Sequence, residues 1–294
     1  MKKNLLLPVV VLSLLCGCKK VFVQDSPNPA ATQNPTSDEL VSETWSTTAD
    51  AQGLSLTFSY DQQHLVSSIV AKQWTSPAPN TLQTTTFQME YSNGRLSRIT
   101  DNNGDTDSLT YNNSGQLILQ KGGPVNVNAR TFSYDDRGNL TGLREEFVIS
   151  NGTNQTNETI SHIFSYDSLN DLVSEVDSQT IGTQVIGSQT IPPQLLVVKY
   201  FWSNYDNKVD FSLAVNGLPP ALFSVLLHFG FGFNGEGSAI LSPHNAGNEA
   251  DTVITPVQNP GSDAFPFTYQ YNAQGLPVSI QYAGWSVSLQ YQSY

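Results

Sequence analysis

Phe132-Ser133-Tyr134-Asp135-Asp136-Arg137-Gly138 is the fullest copy of a unit that recurs along the chain. Phe58-x-Tyr60-Asp61, Phe164-x-Tyr166-Asp167 and Tyr269-x-Tyr271-Asn272 repeat its centre. Each copy is a short run with apolar side chains on alternate residues, ending in Tyr. Asp or Asn follows, then a few turn residues, then an apolar restart. Leu54-Ser-Leu56-Thr-Phe58-Ser-Tyr60 shows the alternation most plainly. One face is apolar and the other carries hydroxyls, which is the period of a half-buried strand.

The turn has its own chemistry. In Asp135-Asp136-Arg137-Gly138, Asp stands where a type I turn favours it, and Gly where the chain needs a positive φ. Asn112-Asn113-Ser114-Gly115 and Asn272-Ala273-Gln274-Gly275 repeat the arrangement. His64 and Asn170 take the glycine's place in two copies, both types that tolerate positive φ. Ser92-Asn93-Gly94 is one residue shorter and predicts a tight two-residue turn. Some restart pairs, such as Leu96 with Ile99 and Leu140 with Leu143, are three apart, so a bulge is expected near the strand start.

Each unit is thus a hairpin. The expected fold is all-β, an antiparallel meander of hairpin repeats forming a strongly curved sheet or open barrel. The best helix candidate is Pro219 to Phe229, with prolines at its start and Gly230 at its end. It is apolar nearly all round and is expected to cover the concave face. A membrane-dipping hairpin is the other reading, because Gly230-Phe-Gly-Phe follows directly.

Residues 1–17 read as an export signal, with Lys2 and Lys3 before an apolar stretch from Leu5 to Leu15. That stretch is too short for a permanent bilayer span, which needs about 20 residues. Leu15-Cys16-Gly17-Cys18 resembles the bacterial lipobox, which implies acylation of Cys18 and membrane attachment through that lipid. An ordinary secretory signal is the alternative. Both cysteines lie here, so the mature chain has no intramolecular disulfide and no thiolate nucleophile in its folded part. Removing the signal takes away two lysines and no acids, moving the formal charge from −12 to −14. So acidic a chain is a poor partner for nucleic acid or anionic lipid surfaces. Residues 18–44 read as a flexible lipidated tether, rich in Pro, Asn, Ser and Thr, and 45–294 as a single repeat-built β domain.

The pattern Tyr-Asp-x-x-Gly-x-Leu resembles the YD repeat of Rhs-type proteins, which form hairpin-built β shells. The C-terminal part is more specific. Trp202-Ser203, Asp206-Asn207-Lys208, the apolar segment near Phe223, Leu241-Ser242, His244-Asn245 and Tyr269-x-Tyr271-x-x-x-Gly275-Leu276-Pro277-x-x-Ile280 stand in order. They resemble a family of Bacteroidetes lipoproteins that carries the domain of unknown function numbered 4595. The resemblance covers most of 50–294 and departs at Val209, where the pattern has Asn-Pro after the lysine. It implies an outer-membrane lipoprotein and the fold above, and brings no catalytic residues.

Catalytic signatures such as Gly-x-Ser-x-Gly or His-Glu-x-x-His are absent, and no cofactor is expected. The four histidines are scattered without metal-ligand spacing. His162 falls in phase with Phe164 and Tyr166, which makes it a strand residue, and His228 lies in the helix candidate. Asp101, Asn103, Asp105 and Asp107 offer oxygens at calcium-loop spacing. The same stretch reads as a plain turn around Asn103-Gly104. Trp74, Trp202 and Trp285 are candidates for contact with a ligand, or else core residues. Ser108, Ser168 and Thr252 follow aspartates in a pattern like the Bacteroidetes O-glycosylation acceptor, a pattern short enough to recur by chance.

The expected function is a non-enzymatic, lipid-anchored envelope module that binds a glycan or a protein. The alternatives are a structural or assembly lipoprotein and, third, a glycan hydrolase with a carboxylate pair. Function is expected where the repeat breaks: the 101–107 connection, the Asn-rich 151–159 loop and the 203–263 insertion.

Overall fold

In the computed structural model, each Tyr–Asp unit forms the same hairpin end. The carboxylate or amide oxygen of the turn-starting residue accepts two backbone N–H groups, from residues two and four further on. Asp135 Oδ1 accepts from Arg137 at 2.9 Å and Asn139 at 2.8 Å. Asp61, Asn112, Asp167 and Asn272 do the same. The expected positive φ is found at His64 (61°), Asn170 (68°) and Gly138 (84°), and the short copy has Asn93 and Gly94 both positive. The expected bulge is present too: register shifts fall at Tyr60, Tyr91, Tyr111, Tyr134, Tyr166 and Tyr271.

The structure describes residues 38–47, 52–75, 81–122, 127–151, 154–181, 184–186, 189–191, 194–208, 210, 214–219, 221–222, 242–255, 264–282 and 284–293. The first strands are β1 (Asp38–Thr47), β2 (Gln52–Tyr60), β3 (Val66–Thr75), β4 (Thr81–Ser92) and β5 (Arg95–Asp101). Next come β6 (Thr106–Tyr111), β7 (Leu117–Gly122), β8 (Val127–Tyr134), β9 (Leu140–Asn151), β10 (Asn154–Tyr166) and β11 (Leu172–Ile181). A small hairpin, β12 (Gln184–Ile186) and β13 (Gln189–Ile191), leads to β14 (Gln194–Ser203) and β15 (Asn248–Thr255). The last are β16 (Ala264–Pro266), β17 (Thr268–Tyr271), β18 (Pro277–Tyr282) and β19 (Trp285–Ser293).

Apart from the β12–β13 hairpin, these strands form one 17-stranded sheet. It is an antiparallel meander that curls into a nearly closed barrel. Pairing runs strand to strand from β1 to β11, then through β14, β15 and β16, and again from β17 through β18 and β19 to β1. The break falls at Phe267, whose N–H bonds the Gly247 carbonyl in register with the β15–β16 pairing. The tether boundary is corrected here: residues 38–44 are not linker but part of the strand that closes the barrel. Residues 154–159 likewise belong to β10, paired with β9 from Asn154↔Asn151 to Thr159↔Glu146.

The motif tyrosines latch one strand to the one before it. Tyr60, Tyr91, Tyr111, Tyr134 and Tyr291 donate their hydroxyls to the carbonyls of Leu40, Val66, Leu96, Leu117 and Pro277, at 2.6–2.8 Å. Tyr205 does the same to Leu172. Each such bond contributes about 1 kcal/mol. Burial pushes the Tyr111 hydroxyl up to about 12, with Arg95 pulling the other way.

The Tyr–Asp end of the barrel is capped by the described parts of the connection between β14 and β15, among them 204–208 and 242–247. Asp206 bonds the backbone of Lys208 (2.8 Å) and Asn245 (3.3 Å) as well as the Tyr271 hydroxyl, and His244 Nδ1 lies 3.0 Å from Asp171. The Asp-Asn-Lys and His-Asn motifs therefore serve as a plug. Of the expected helix, only Ala221 and Leu222 are described as helical. They are buried, and the rest of 219–229 falls largely outside the described residues, as does His228.

The core lines the inside of the barrel, with Leu56, Phe58, Ile69, Phe87, Ile99, Phe132, Phe164 and Ile280 all buried. The outside is polar: Thr57, Gln88, Glu90, Arg98, Arg144 and Gln290 are exposed. A lipid-spanning barrel has the reverse arrangement, an apolar outer band around a polar lumen.

Candidate functional site: a polar track inside the barrel

The hairpin repeat sends a fixed set of positions inward. Four residues before the motif Tyr, the chain places Leu56, Phe87 and Phe267, all buried. In the middle repeats the same slot holds Asp107, Arg130 and His162, equally buried. Three residues into the return strand, the slot that holds Ile69, Ile99, Leu143 and Ile280 carries Gln120 in β7 and Glu175 in β11. Two residues further, Glu145 and Asp177 occupy it in β9 and β11. One wall of the barrel, from β6 to β11, thus has a polar interior at the level where the opposite wall is aliphatic and aromatic.

Register makes these side chains neighbours. Gln120 stands opposite Arg130, Arg130 opposite Glu145, and His162 opposite Asp177. The contacts run in series. Arg130 Nη1 donates to Gln120 at 3.2 Å, and its Nε donates to Glu145 Oε2 at 2.6 Å. Glu145 Oε1 lies 3.1 Å from His162 Nε2. The other ring nitrogen, Nδ1, lies 2.6 Å from Asp177 Oδ1 and 3.1 Å from Glu175 Oε1. Glu145, Glu175 and Asp177 are 0% exposed and His162 is 1% exposed. The Phe164 ring is parallel to the imidazole, at 6.3 Å between centroids.

Their protonation follows from burial set against partners. Burial pushes the Glu145 carboxyl up, but Arg130 and His162 outweigh it and leave it below the usual range. Burial raises Glu175 well above the ordinary value, and neighbouring Asp177 adds to the rise against His162. Asp107 is raised by burial, against Gln120 and Arg130. The signs differ for stability. Glu145 contributes stability above its unfolded value of 4.5, lost as pH falls. Between 3.8 and its raised value, folded Asp107 keeps a proton that the unfolded chain has released, so stability falls as pH rises there. Asp107→Asn is expected to remove that slope, read as urea midpoint against pH in both proteins. A variant with the wild-type pH profile would refute the assignment.

His162, Glu175 and Asp177 are the group of His, Cys, Asp and Glu side chains, among the described residues, whose ligand atoms all lie within 4.8 Å of one another. The aspartates of the 101–107 loop do not converge in this way. The Asp101 carboxylate is engaged by the Asn103 and Asp105 backbone and the Asn103 amide, in the same turn geometry as the repeat. Asp107 faces inward while Asn103 and Asp105 are exposed. Trp202 (3% exposed) and Trp285 (7%) are core residues, so neither presents a stacking face at the surface, and Trp74 packs half-buried against Gly53. Ser108 and Ser168 are exposed, the Ser108 hydroxyl bonding the Lys121 carbonyl, and Thr252 is half-buried. Cys18 lies outside the described residues. A cavity of about 510 Å³ beside the Asn93–Gly94 turn has Arg95 as its one charged lining residue.

The fold has solved counterparts. The crystal structure of a porin-like protein from Bacteroides uniformis ATCC 8492 matches 88% of this chain and 98% of its own, with TM-score 0.51 and 15% identity. A porin-like protein from Bacteroides vulgatus ATCC 8482 matches 86% of this chain and 98% of its own, with TM-score 0.44 and 10% identity. The Photorhabdus luminescens Tc holotoxin pore matches 78% of this chain over 12% of its own, with TM-score 0.27 and 13% identity. At 15% identity the likeness to the B. uniformis protein is one of fold alone. No family model matches the sequence, and no curated protein matches it.

Proposed function

We propose that this chain is a non-enzymatic, lipid-anchored envelope module that docks a protein or peptide partner on the outer wall of its barrel. The observation that carries the reading is a set of three exposed large apolar side chains on one wall of an otherwise polar exterior. Ile163 on β10 and Leu195 and Phe201 on β14 are 58%, 53% and 41% exposed. They lie on the outer face of β10 and β14, which flank β11: Ile163 stands opposite Val176 and Val176 opposite Lys199, while Leu195 and Phe201 stand opposite Thr180 and Ser174. Apolar clusters on polar surfaces mark interaction sites. A protein partner fits better than a glycan, because the three candidate tryptophans are buried or half-buried and the Lys199 ammonium lies 4.7 Å over the Phe201 ring. Hydrolysis is disfavoured because Glu145, Glu175 and Asp177 are fully buried. The lipobox at Cys18, the resemblance to the Bacteroidetes lipoprotein family and the porin-like naming of the B. uniformis structure support the envelope setting. Attachment at the N-terminus leaves the barrel held by its capped end, where β1 begins.

A photo-crosslinking residue at Leu195 is expected to capture an envelope protein in cells, and capture is lost when Ile163 and Phe201 are replaced by serine. Equal capture from Gln88, on the polar wall, would overturn the docking surface. Fatty-acid labelling that survives Cys18→Ser would overturn the lipid anchor.

A further inference from the structure

The polar track ends at two carboxyl groups crowded round one ring nitrogen. His162 Nδ1 faces Asp177 Oδ1 at 2.6 Å and Glu175 Oε1 at 3.1 Å, yet a ring nitrogen holds one proton at most. Asp177 Oδ2 is buried with no hydrogen-bond partner. Leaving a carboxylate oxygen so costs free energy that a packed aliphatic residue would avoid, as buried Ala71 does at the same position of the first repeat. We infer that His162, Glu175 and Asp177 bind a zinc ion inside the barrel, with Nδ1 and one oxygen from each carboxylate as ligands.

Three features support a metal of this class. One imidazole with two carboxylates is a nitrogen–oxygen donor set, suited to zinc and its first-row neighbours, whereas calcium and magnesium take oxygen alone. The ligand atoms already lie within 4.8 Å of one another, so small side-chain shifts bring them around one ion. Behind the imidazole, Nε2 lies 3.1 Å from Glu145, itself fixed by Arg130 at 2.6 Å. Metal-bound histidines commonly donate their second N–H to a carboxylate, which fixes the tautomer and raises ligand basicity. The ligands come from β10 and β11 and are fully buried, so the ion would be captured as the barrel forms and would serve stability.

The test uses the full chain, exchanged into buffer with zinc or with chelator. About one zinc per chain is expected, with a melting temperature higher by about 5–10 °C when free zinc is about a hundredfold above its Kd. Calcium and magnesium are expected to leave it unchanged. His162→Gln and Asp177→Asn should each lower the zinc content, and cobalt in place of zinc should give the visible absorption of a four-coordinate site in the wild-type chain. Equal melting temperatures in zinc and chelator, zinc content unaltered in both variants, or a colourless cobalt form would overturn the site. The cobalt and melting measurements need no variant, so they decide the matter even where a substitution prevents folding.

Discussion

Replacing Glu145 by alanine is expected to lower the unfolding free energy by about 3–5 kcal/mol. Glu145 is 0% exposed and joins Arg130, at 2.6 Å, to His162, at 3.1 Å. Its removal leaves the Arg130 guanidinium, itself 4% exposed, without its carboxylate in a low-dielectric interior. Most of the loss comes from that stranded charge rather than from the attraction itself. The double replacement Arg130→Met with Glu145→Leu separates the two contributions. It removes both charges with similar volume but leaves His162 Nε2 without its carboxylate, so it should recover part of the loss. Guanidinium unfolding followed by tryptophan fluorescence measures both. A double variant as unstable as Glu145→Ala would show that the track contributes more than its charge pairing.

The second large effect is expected at the seam. Trp45 in β1 stands opposite Val287 of β19 and Leu54 of β2, is 5% exposed, and donates its indole N–H to Glu43 Oε1 at 2.6 Å. Trp45→Ala should cost about 3–5 kcal/mol through the cavity it opens. Glu43, 0% exposed, also loses this donor. Because β1 joins the two ends of the meander, the variant should also become sensitive to protease within 38–47, while Trp45→Phe retains most of the stability. A loss below about 0.5 kcal/mol, within the range of ordinary surface substitutions, would mean that the seam is not held by this side chain.

The hairpin architecture was legible because turn chemistry is local. Asp135 with Gly138, His64 and Asn170 each state their backbone requirement within four residues, and the bulge announces itself as an apolar pair three apart. β1 was hidden because the buried positions Asp38, Glu39 and Glu43 carry acids, bonded to Ser293, to His64 and Gln292, and to Trp45, so the alternation of Leu40 and Trp45 is broken. The Asn-rich start of β10 has no apolar period to read, and its strand is seen only in its pairing with β9. Function was expected where the repeat breaks, but the polar track lies inside the repeat. Its signal was present all the same. Superposing the copies slot by slot shows Glu175 and Gln120 standing where other copies have Ile or Leu, and His162 and Arg130 where they have Leu or Phe. A motif read for what is constant conceals what varies at one position within it.

The tyrosine latches bear on the order in which the chain assembles. Tyr60, Tyr91, Tyr111, Tyr134 and Tyr291 each reach back between 14 and 25 residues, so every clasp can close soon after its own hairpin emerges. The seam is different: Asp38 meets Ser293, 255 residues away. Local contacts form early and distant ones late, because the long loop must be closed before its contacts reward it. The chain would therefore grow as a ratcheted ribbon from its N-terminus. Its first strand would keep an open edge until the last strand arrives, and an exported copy truncated before β19 would carry two unpaired edges able to join those of other copies.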